Sequence, residues 1–406
     1  MKSLLVFLAV GALSVLASSR AARQADRSFL VSVLATSGLV FVLVGAFLGP
    51  SAAAVYTAAD LEAMQPLLSF GLGAAGLFIG LNLEPGVLRG LPAPVFRAAG
   101  AQALAAMGAV SIPLAAVLYA STPLGVLQSL GAGVALGASA GVSSGHYAVL
   151  WYRSGRMERA QSVAVALLAT LDDLGGLLLL AVAMAIGSGA TPLHGLGLVA
   201  LTAALGLLNG ALLAYLCRRV EDPSELVAIV LGGAALVSGA AAFLSLSALL
   251  AGIACGATLS QIGGKSVDRL WKALSRMDRP LYLLLLFLIG VQVRLDDWPA
   301  WMLVPIFVAL RFLAKVYGGR WGRKVASGSV PLPRDVGYAL LAQGGVSLCI
   351  LAETFTLVGR ARAQVVFDAG VLGALLNEVL AATAFPRAFL TPPRDAQREL
   401  KEAGLA

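Results

Sequence analysis

The sequence predicts an all-α membrane protein, and three observations support this fold class. Hydrophobic residues make up 59% of the 406 residues and charged residues only 12%, about half the charged share of a soluble domain. Thirteen stretches of the chain approach the roughly 20 apolar residues that cross a bilayer as a helix. Lys and Arg are concentrated in alternate loops between these stretches, as expected of a multi-pass protein.

The thirteen predicted spans follow one another with short connections. They cover residues 2–18, 29–49, 62–83, 95–120, 125–150, 160–187, 195–217, 225–244, 246–262, 279–293, 299–319, 335–358 and 365–387. The boundary between spans 8 and 9 is the least defined. The 46 glycines and 17 prolines agree with this interpretation, because neighbouring membrane helices satisfy the backbone groups that these residues leave open.

The loop charges predict the orientation. Loops after odd-numbered spans, with their flanking residues, hold 23 of the 29 Lys and Arg, and loops after even-numbered spans hold three. The other three cations are Lys2, Arg311 and Lys315. A missing span would disrupt this alternation, so it supports the count of thirteen. Because Lys and Arg are enriched in cytoplasmic loops, we expect the N-terminus outside and the C-terminus in the cytoplasm. The expected location is the cell (inner) membrane.

The first span has a second interpretation. Its basic start and the small residues near Ala17 also fit a cleaved signal peptide. Cleavage would leave Arg20, Arg23 and Arg27 on the outer face, against the alternation of loop charges. We therefore favour a retained membrane helix.

The chain is predicted to form one transmembrane domain, residues 1–390, followed by a short polar tail, 391–406. The cytoplasmic loops account for the net charge of +8, so the expected partner is the lipid bilayer and no nucleic acid. Cys217, Cys255 and Cys349 follow no CxxC spacing, so no disulfide or metal cluster is expected. The sequence has no nucleophile triad and no phosphate-binding glycine loop, so neither an enzyme nor a cofactor is predicted.

Two adjacent carboxylates, Asp172 and Asp173, lie in the middle of span 6, close to Thr170. Each costs about 2.5–3.5 kcal/mol at the centre of a membrane helix, and such residues are functional-site candidates. Neighbouring carboxylates titrate as a coupled pair. Their oxygens can hold either protons or a monovalent cation such as Na⁺, Li⁺ or K⁺.

Spans 5 and 12 carry glycines and polar residues that favour interrupted helices. Span 5 has five glycines between residues 131 and 145, together with Ser143 and Ser144, and span 12 has Gln343 before two glycines. Close packing of small residues is the alternative. The two spans lie seven apart and so run in opposite directions, which predicts an inverted-topology repeat with two crossed interrupted helices. The same register places Asn377-Glu378 of span 13 at the depth of the aspartate pair.

Span 11 contains Arg311 and Lys315 one turn apart, on one face of a helix. Lys315 either faces the aspartates or extends to the membrane surface. Arg311 is deeper and requires a carboxylate or a backbone carbonyl as partner. The mid-span carboxylates are Asp172, Asp173, Glu353 and Glu378, whereas Asp368 is expected to be solvated at an outer helix end.

Several segments together resemble the monovalent cation/proton antiporters, in the branch with an Asp-Asp pair on the sixth of thirteen helices. The segments are LVFVLVGAFLGP, LLSFGLGAAGLFIGLNLE, ATLDDLGGLLLL, LYLLLLFLIGVQVRL and AKVYG, the last containing Lys315. Three departures occur. Gly141-Val142 stands where the family has a Thr-Ser or Thr-Asp pair, Gln343-Gly344-Gly345 stands where many relatives have a charged residue beside the glycine, and Arg311 is an additional cation.

The resemblance implies a role for each element. Asp173 would be the principal carrier of cation and proton, and Asp172 would pair with Lys315 when no cation is bound. Residues 93–192 and 298–390 would form a moving core, 1–92 and 224–297 a scaffold that dimerises, and 193–223 a linker helix. The expected function is electrogenic exchange of Na⁺ for protons by alternating access.

Three alternatives remain open at this stage. One is a K⁺/H⁺ antiporter, and a second is a related sodium-coupled symporter of organic anions, which requires a wider and more polar cavity. The third, from another class, is a membrane sensor or partner subunit that has lost transport. Retention of both aspartates and the lysine argues against the third.

Overall fold

The computed structural model describes residues 2–17, 37–83, 91–153, 157–187, 191–274, 277–326 and 330–383, and the regular secondary structure of these residues is entirely helical. In chain order the helices are Lys2–Ala17, Leu39–Leu48, Ala58–Ala63, Gln65–Leu81, Ala93–Ala106, the π-helical Met107–Ser111, Ile112–Ser121, Val126–Gly141, His146–Arg153, Arg159–Gly187, Pro192–Cys217, Pro223–Phe243, Ala248–Ile262, Lys265–Leu274, Asp278–Val291, Trp298–Val325, Val336–Ala339, Gly345–Ala352, Thr354–Val358 and Arg360–Thr383.

Each predicted span coincides with one or more of these helices. Seven helical stretches of the described residues are long and apolar enough to cross a membrane, and five shorter helices are also apolar. This confirms an all-helical multi-pass protein. The number of thirteen crossings, the inverted repeat and the orientation of the termini stay predictions. The start of span 2, the first basic loop and the tail 391–406 fall outside the described residues.

Two helices are broken in the middle. The first broken helix consists of Val126–Gly141 and His146–Arg153, and the second of Val336–Ala339 and Gly345–Ala352. The breaks lie against each other, because the Ser144 backbone N–H donates to the Ala342 carbonyl at 2.8 Å. Backbone hydrogen bonds that each helix loses at its break are thus partly replaced by the other break.

One helix was not predicted. Lys265–Leu274 lies in the basic loop after span 9 and buries Leu270 and Leu274 completely. With ten residues and several charges it is too short and too polar to register as a membrane span, so the hydropathy criterion overlooks it. Trp298–Val325 also continues six residues past the predicted end of span 11, through basic residues in its last turn that suit a helix C-terminus.

Glycines bring the Gln65–Leu81 and Ala248–Ile262 helices into close contact. A Cβ atom on Gly76 would collide with the Leu249 carbonyl, and one on Gly80 with the Ile253 carbonyl. Small residues allow such close backbone approach between membrane helices. The order of the contacts shows that the two helices run parallel, with Leu249 level with Gly76.

We expect Gly76→Ala to destabilise the protein by about 1–3 kcal/mol, because the added methyl group meets backbone rather than a movable side chain. The measurement is the thermal melting temperature in detergent. Gly239→Ala is the matched control, since a Cβ there meets nothing within 4 Å. Equal melting temperatures for the two variants would show that the close approach is absent.

Candidate functional site

Two long helices face each other across the crossed breaks. Arg159–Gly187, the aspartate helix, carries Asp172, and Trp298–Val325, the lysine helix, carries Lys315. The Lys315 ammonium lies 2.9 Å from Asp172 Oδ2, and both side chains are fully buried. An ion pair of this kind persists in an apolar interior only when further hydrogen bonds satisfy it.

Those hydrogen bonds come from the first break. The Ser143 hydroxyl donates to Asp172 Oδ2 at 2.8 Å, and Lys315 Nζ donates to Ser143 Oγ at 2.6 Å. Lys315 also donates to the Gly141 carbonyl. The three N–H donors of the ammonium group therefore have three acceptors. At the position where the resemblance implies a side-chain pair, this chain supplies a backbone carbonyl and a displaced serine.

The neighbouring Asp173 is in a different environment. It is half-buried and, although Lys315 acts on it electrostatically, the close ion pair of Lys315 is with Asp172. Its Oδ1 atom is buried and has no hydrogen-bond partner among the described residues, and the same holds for Oδ1 of Asp172. Two carboxylate oxygens of adjacent residues thus remain without a donor. Carboxylate, hydroxyl and carbonyl oxygens are the ligands that hard cations prefer.

Arg311 takes backbone carbonyls rather than a carboxylate. One terminal nitrogen donates to the Ala140 carbonyl at 2.6 Å, and the other donates to Val142 and Leu341 at 3.0 and 3.1 Å. Ala140 and Val142 belong to the first break and Leu341 to the second. The fully buried guanidinium therefore joins both breaks, and of the two partner types that the sequence left open it uses the carbonyl.

A second polar cluster surrounds Gln343, a site candidate from the sequence, and includes Ser139, Ser347 and Asn377, which were not predicted as site residues. The Gln343 amide donates to the Ser139 carbonyl at 3.1 Å and to Ser347 Oγ at 2.8 Å. Asn377 donates to the Gln343 side-chain oxygen at 3.0 Å. The cluster ties both broken helices to the Arg360–Thr383 helix. The sequence signal for this cluster was a serine within one turn of each break, Ser139 in the first broken helix and Ser347 in the second.

The remaining predicted residues have various positions. Glu378 is buried and accepts a hydrogen bond from the Gln343 backbone N–H. Arg311 attracts it electrostatically but donates its hydrogen bonds to backbone carbonyls instead. Ser144 contributes its backbone N–H to the crossing. Thr170 is exposed, and its hydroxyl donates to the Ala166 carbonyl of its own helix at 3.1 Å.

Asp368 differs from expectation. The sequence suggested a solvated residue at a helix end, but the side chain is fully buried and accepts the Arg294 backbone N–H at 3.0 Å. Gln364 also donates to both of its oxygens. The expectation was wrong because the helix begins at Arg360, five residues before the predicted span, so Asp368 lies more than two turns inside it, beside the loop that carries Arg294.

Comparison with known proteins adds to this geometry. The family model described as "Sodium/hydrogen exchanger, transmembrane" matches residues 4–391. No curated protein matches the chain. Among solved structures, the chain is similar to the sodium proton antiporter MjNhaP1 from Methanocaldococcus jannaschii, with a TM-score of 0.62 and 14% sequence identity, over 94% of this chain and 97% of that one. That likeness shows a shared fold. Because the family match extends over nearly the whole sequence, the chain belongs to the transmembrane sodium/hydrogen exchanger family of multi-pass cation/proton antiporters.

Proposed function

We propose that this antiporter binds Na⁺ at Asp173 and exchanges it for protons, with Asp172 and Lys315 as the partner pair. The observation that carries the proposal is the asymmetry of two adjacent carboxylates. Asp172 is closely paired with Lys315 at 2.9 Å, whereas Asp173 has no such close ion pair, and each keeps one buried oxygen without a hydrogen-bond partner. A carboxylate oxygen without a hydrogen-bond donor can bind a proton or a cation.

Competition for the same oxygens couples the two fluxes. When Na⁺ binds, it also attracts Asp172, so the Lys315 ion pair weakens and the ammonium can release its proton. When protons bind, Na⁺ leaves and the pair re-forms. Release of a proton from the lysine as well as from the aspartate makes the exchange electrogenic.

The proposed movement is that of a core against a scaffold, with the boundaries predicted from the sequence. A cavity of about 180 Å³ lies between scaffold and core, and its lining includes Asn82, Asp278 and Cys349. At the opposite ends of the same two scaffold helices, Gln65 and Gln292 bond to Arg360 of the core. One side is thus open and the other closed by polar contacts. With the predicted topology, the open side is cytoplasmic.

The cellular setting follows from the same proposal. The protein would act in the cell (inner) membrane as a homodimer joined through its scaffold helices, and it would serve pH homeostasis. The Ala93–Ser121, Arg159–Gly187 and Trp298–Val325 stretches, all long and apolar, would belong to the core that moves within each protomer.

We expect Asp173→Asn to abolish exchange, because asparagine neither titrates nor carries the charge that attracts Na⁺. Proteoliposomes with an imposed ΔpH report this as the recovery of a pH-sensitive dye after Na⁺, Li⁺ or K⁺ is added. The variant should give the signal of protein-free liposomes. Thr170→Val, an exposed position nearby, is the control and should exchange like wild type. If Asp173→Asn exchanges as well as wild type, the assignment of the ion site is wrong.

We expect an inside-positive potential to accelerate ²²Na⁺ uptake into proteoliposomes, because more than one proton leaves for each Na⁺ that enters. Valinomycin with K⁺ outside sets the potential. Lys315→Gln should retain exchange and lose the acceleration, since the lysine no longer contributes a proton. Uptake that is independent of potential in the wild type would establish electroneutral exchange instead.

A further inference from the structure

Glu353 is a buried carboxylate that the proposed exchange does not use. It lies between the Gly345–Ala352 and Thr354–Val358 helices and is 1% exposed. Its Oε1 accepts the Leu249 backbone N–H at 2.8 Å, and its Oε2 is buried without a hydrogen-bond partner among the described residues. One oxygen of this carboxylate is hydrogen-bonded, and the other is free to bind a proton.

The satisfied oxygen caps a helix. Leu249 is the second residue of the Ala248–Ile262 helix, and Ser247 accepts the N–H of Leu250 at 3.1 Å. Free N–H groups and a partial positive charge stabilise a carboxylate at a helix N-terminus. This helix end therefore stabilises the negative charge of Glu353, together with the side chains of Ser247 and Thr356.

The contact is buried inside the protein. Glu353 is 1% exposed and Leu249 is fully buried, so surface water is not an alternative partner for either group. Without the helix N-terminus, an ionised Glu353 would be an uncompensated buried charge, which is strongly unfavourable.

Other titratable groups near Glu353 are engaged elsewhere or neutral. The Cys349 thiol lies one turn earlier on its own helix, and Cys255 of the Ala248–Ile262 helix contacts an asparagine. Asp368 of the adjacent helix is bonded to Gln364. Tyr282 binds Gly345, at the far end of the Gly345–Ala352 helix. The other charged residues on elements that contact this region are Asp172 and Asp173 on the aspartate helix, Arg360, Arg362 and Glu378 on the Arg360–Thr383 helix, and Asp278 and Arg279 on the Asp278–Val291 helix. Arg360 lies over the Phe355 ring, 4.7 Å from its centroid, and bonds to Gln292 and Gln65.

We propose that Glu353 is an additional proton-binding site, which takes up a proton whenever the core leaves the scaffold. This inference rests on the proposed function, because it requires core and scaffold to move. Glu353 belongs to the core and the Ala248–Ile262 helix to the scaffold, so movement of the core removes the cap. The proton then replaces the helix N-terminus as the partner that neutralises the carboxylate.

The test is ²²Na⁺/Na⁺ exchange in proteoliposomes at saturating Na⁺ and equal pH on both sides, because this mode needs no proton at Asp173. At alkaline pH the wild-type exchange rate should fall by up to about tenfold per pH unit, because the protonated fraction of one carboxyl group falls by that factor. Glu353→Gln keeps an acceptor for the Leu249 N–H and needs no proton, so its rate should stay constant there. The exposed Glu225→Gln is the matched control and should behave like wild type.

If the exchange rates of wild type and Glu353→Gln fall equally as the pH is raised, the proposal is wrong. A Na⁺-dependent rise in melting temperature shows that the variant is folded and binds the ion. If neither protein exchanges Na⁺, the proposed function fails, and difference infrared spectra of the purified proteins still test Glu353 itself. A protonated-carboxyl band present in wild type and missing in Glu353→Gln supports the site, and a band that is unchanged refutes it.

Discussion

Two broken helices leave carbonyl groups unbonded in the middle of an apolar protein, and the rest of the site depends on how those groups are satisfied. Arg311 binds carbonyls of both breaks, and Lys315 binds the Gly141 carbonyl beside them. Buried carbonyls without donors are costly, and helix C-termini favour cations. One face of one helix therefore holds the crossing together and supplies the counter-charge of the ion site.

This arrangement makes the two aspartates unequal. Successive residues of a helix point about 100° apart, so Asp172 and Asp173 cannot face the same partner equally. Asp172 points to the first break, where Ser143 and Lys315 both bond to it. Asp173 is left half-buried. The lysine that satisfies the breaks, together with Ser143, thus gives two chemically identical neighbours different environments.

Much of this could be predicted from the sequence, because a low-dielectric membrane penalises every exception to apolarity. The helix ranges and the interruption of spans 5 and 12 follow from hydropathy, glycine content and register. The pairing of Lys315 with Asp172 was implied only by the resemblance to the antiporters. The partner of Arg311 did not follow, since carbonyls of a broken helix have no signature in the side chains. Asp368 also defeated prediction, because its burial depends on the backbone of a loop 74 residues away.

The buried polar contacts fall into two groups with different physical consequences. Those of Arg311, Lys315 and Gln343 join elements of the proposed core, so the proposed movement would leave them intact and preserve the geometry of the proposed ion site. Those of Glu353 and Arg360 join the proposed core to the proposed scaffold, so the same movement would break them in each cycle. A strong polar contact in the first group stabilises the proposed core in every conformation. A strong contact in the second group stabilises only the conformation in which it forms. The transporter can cycle only if the second group is balanced by equal contacts, or by protons, in the other conformation.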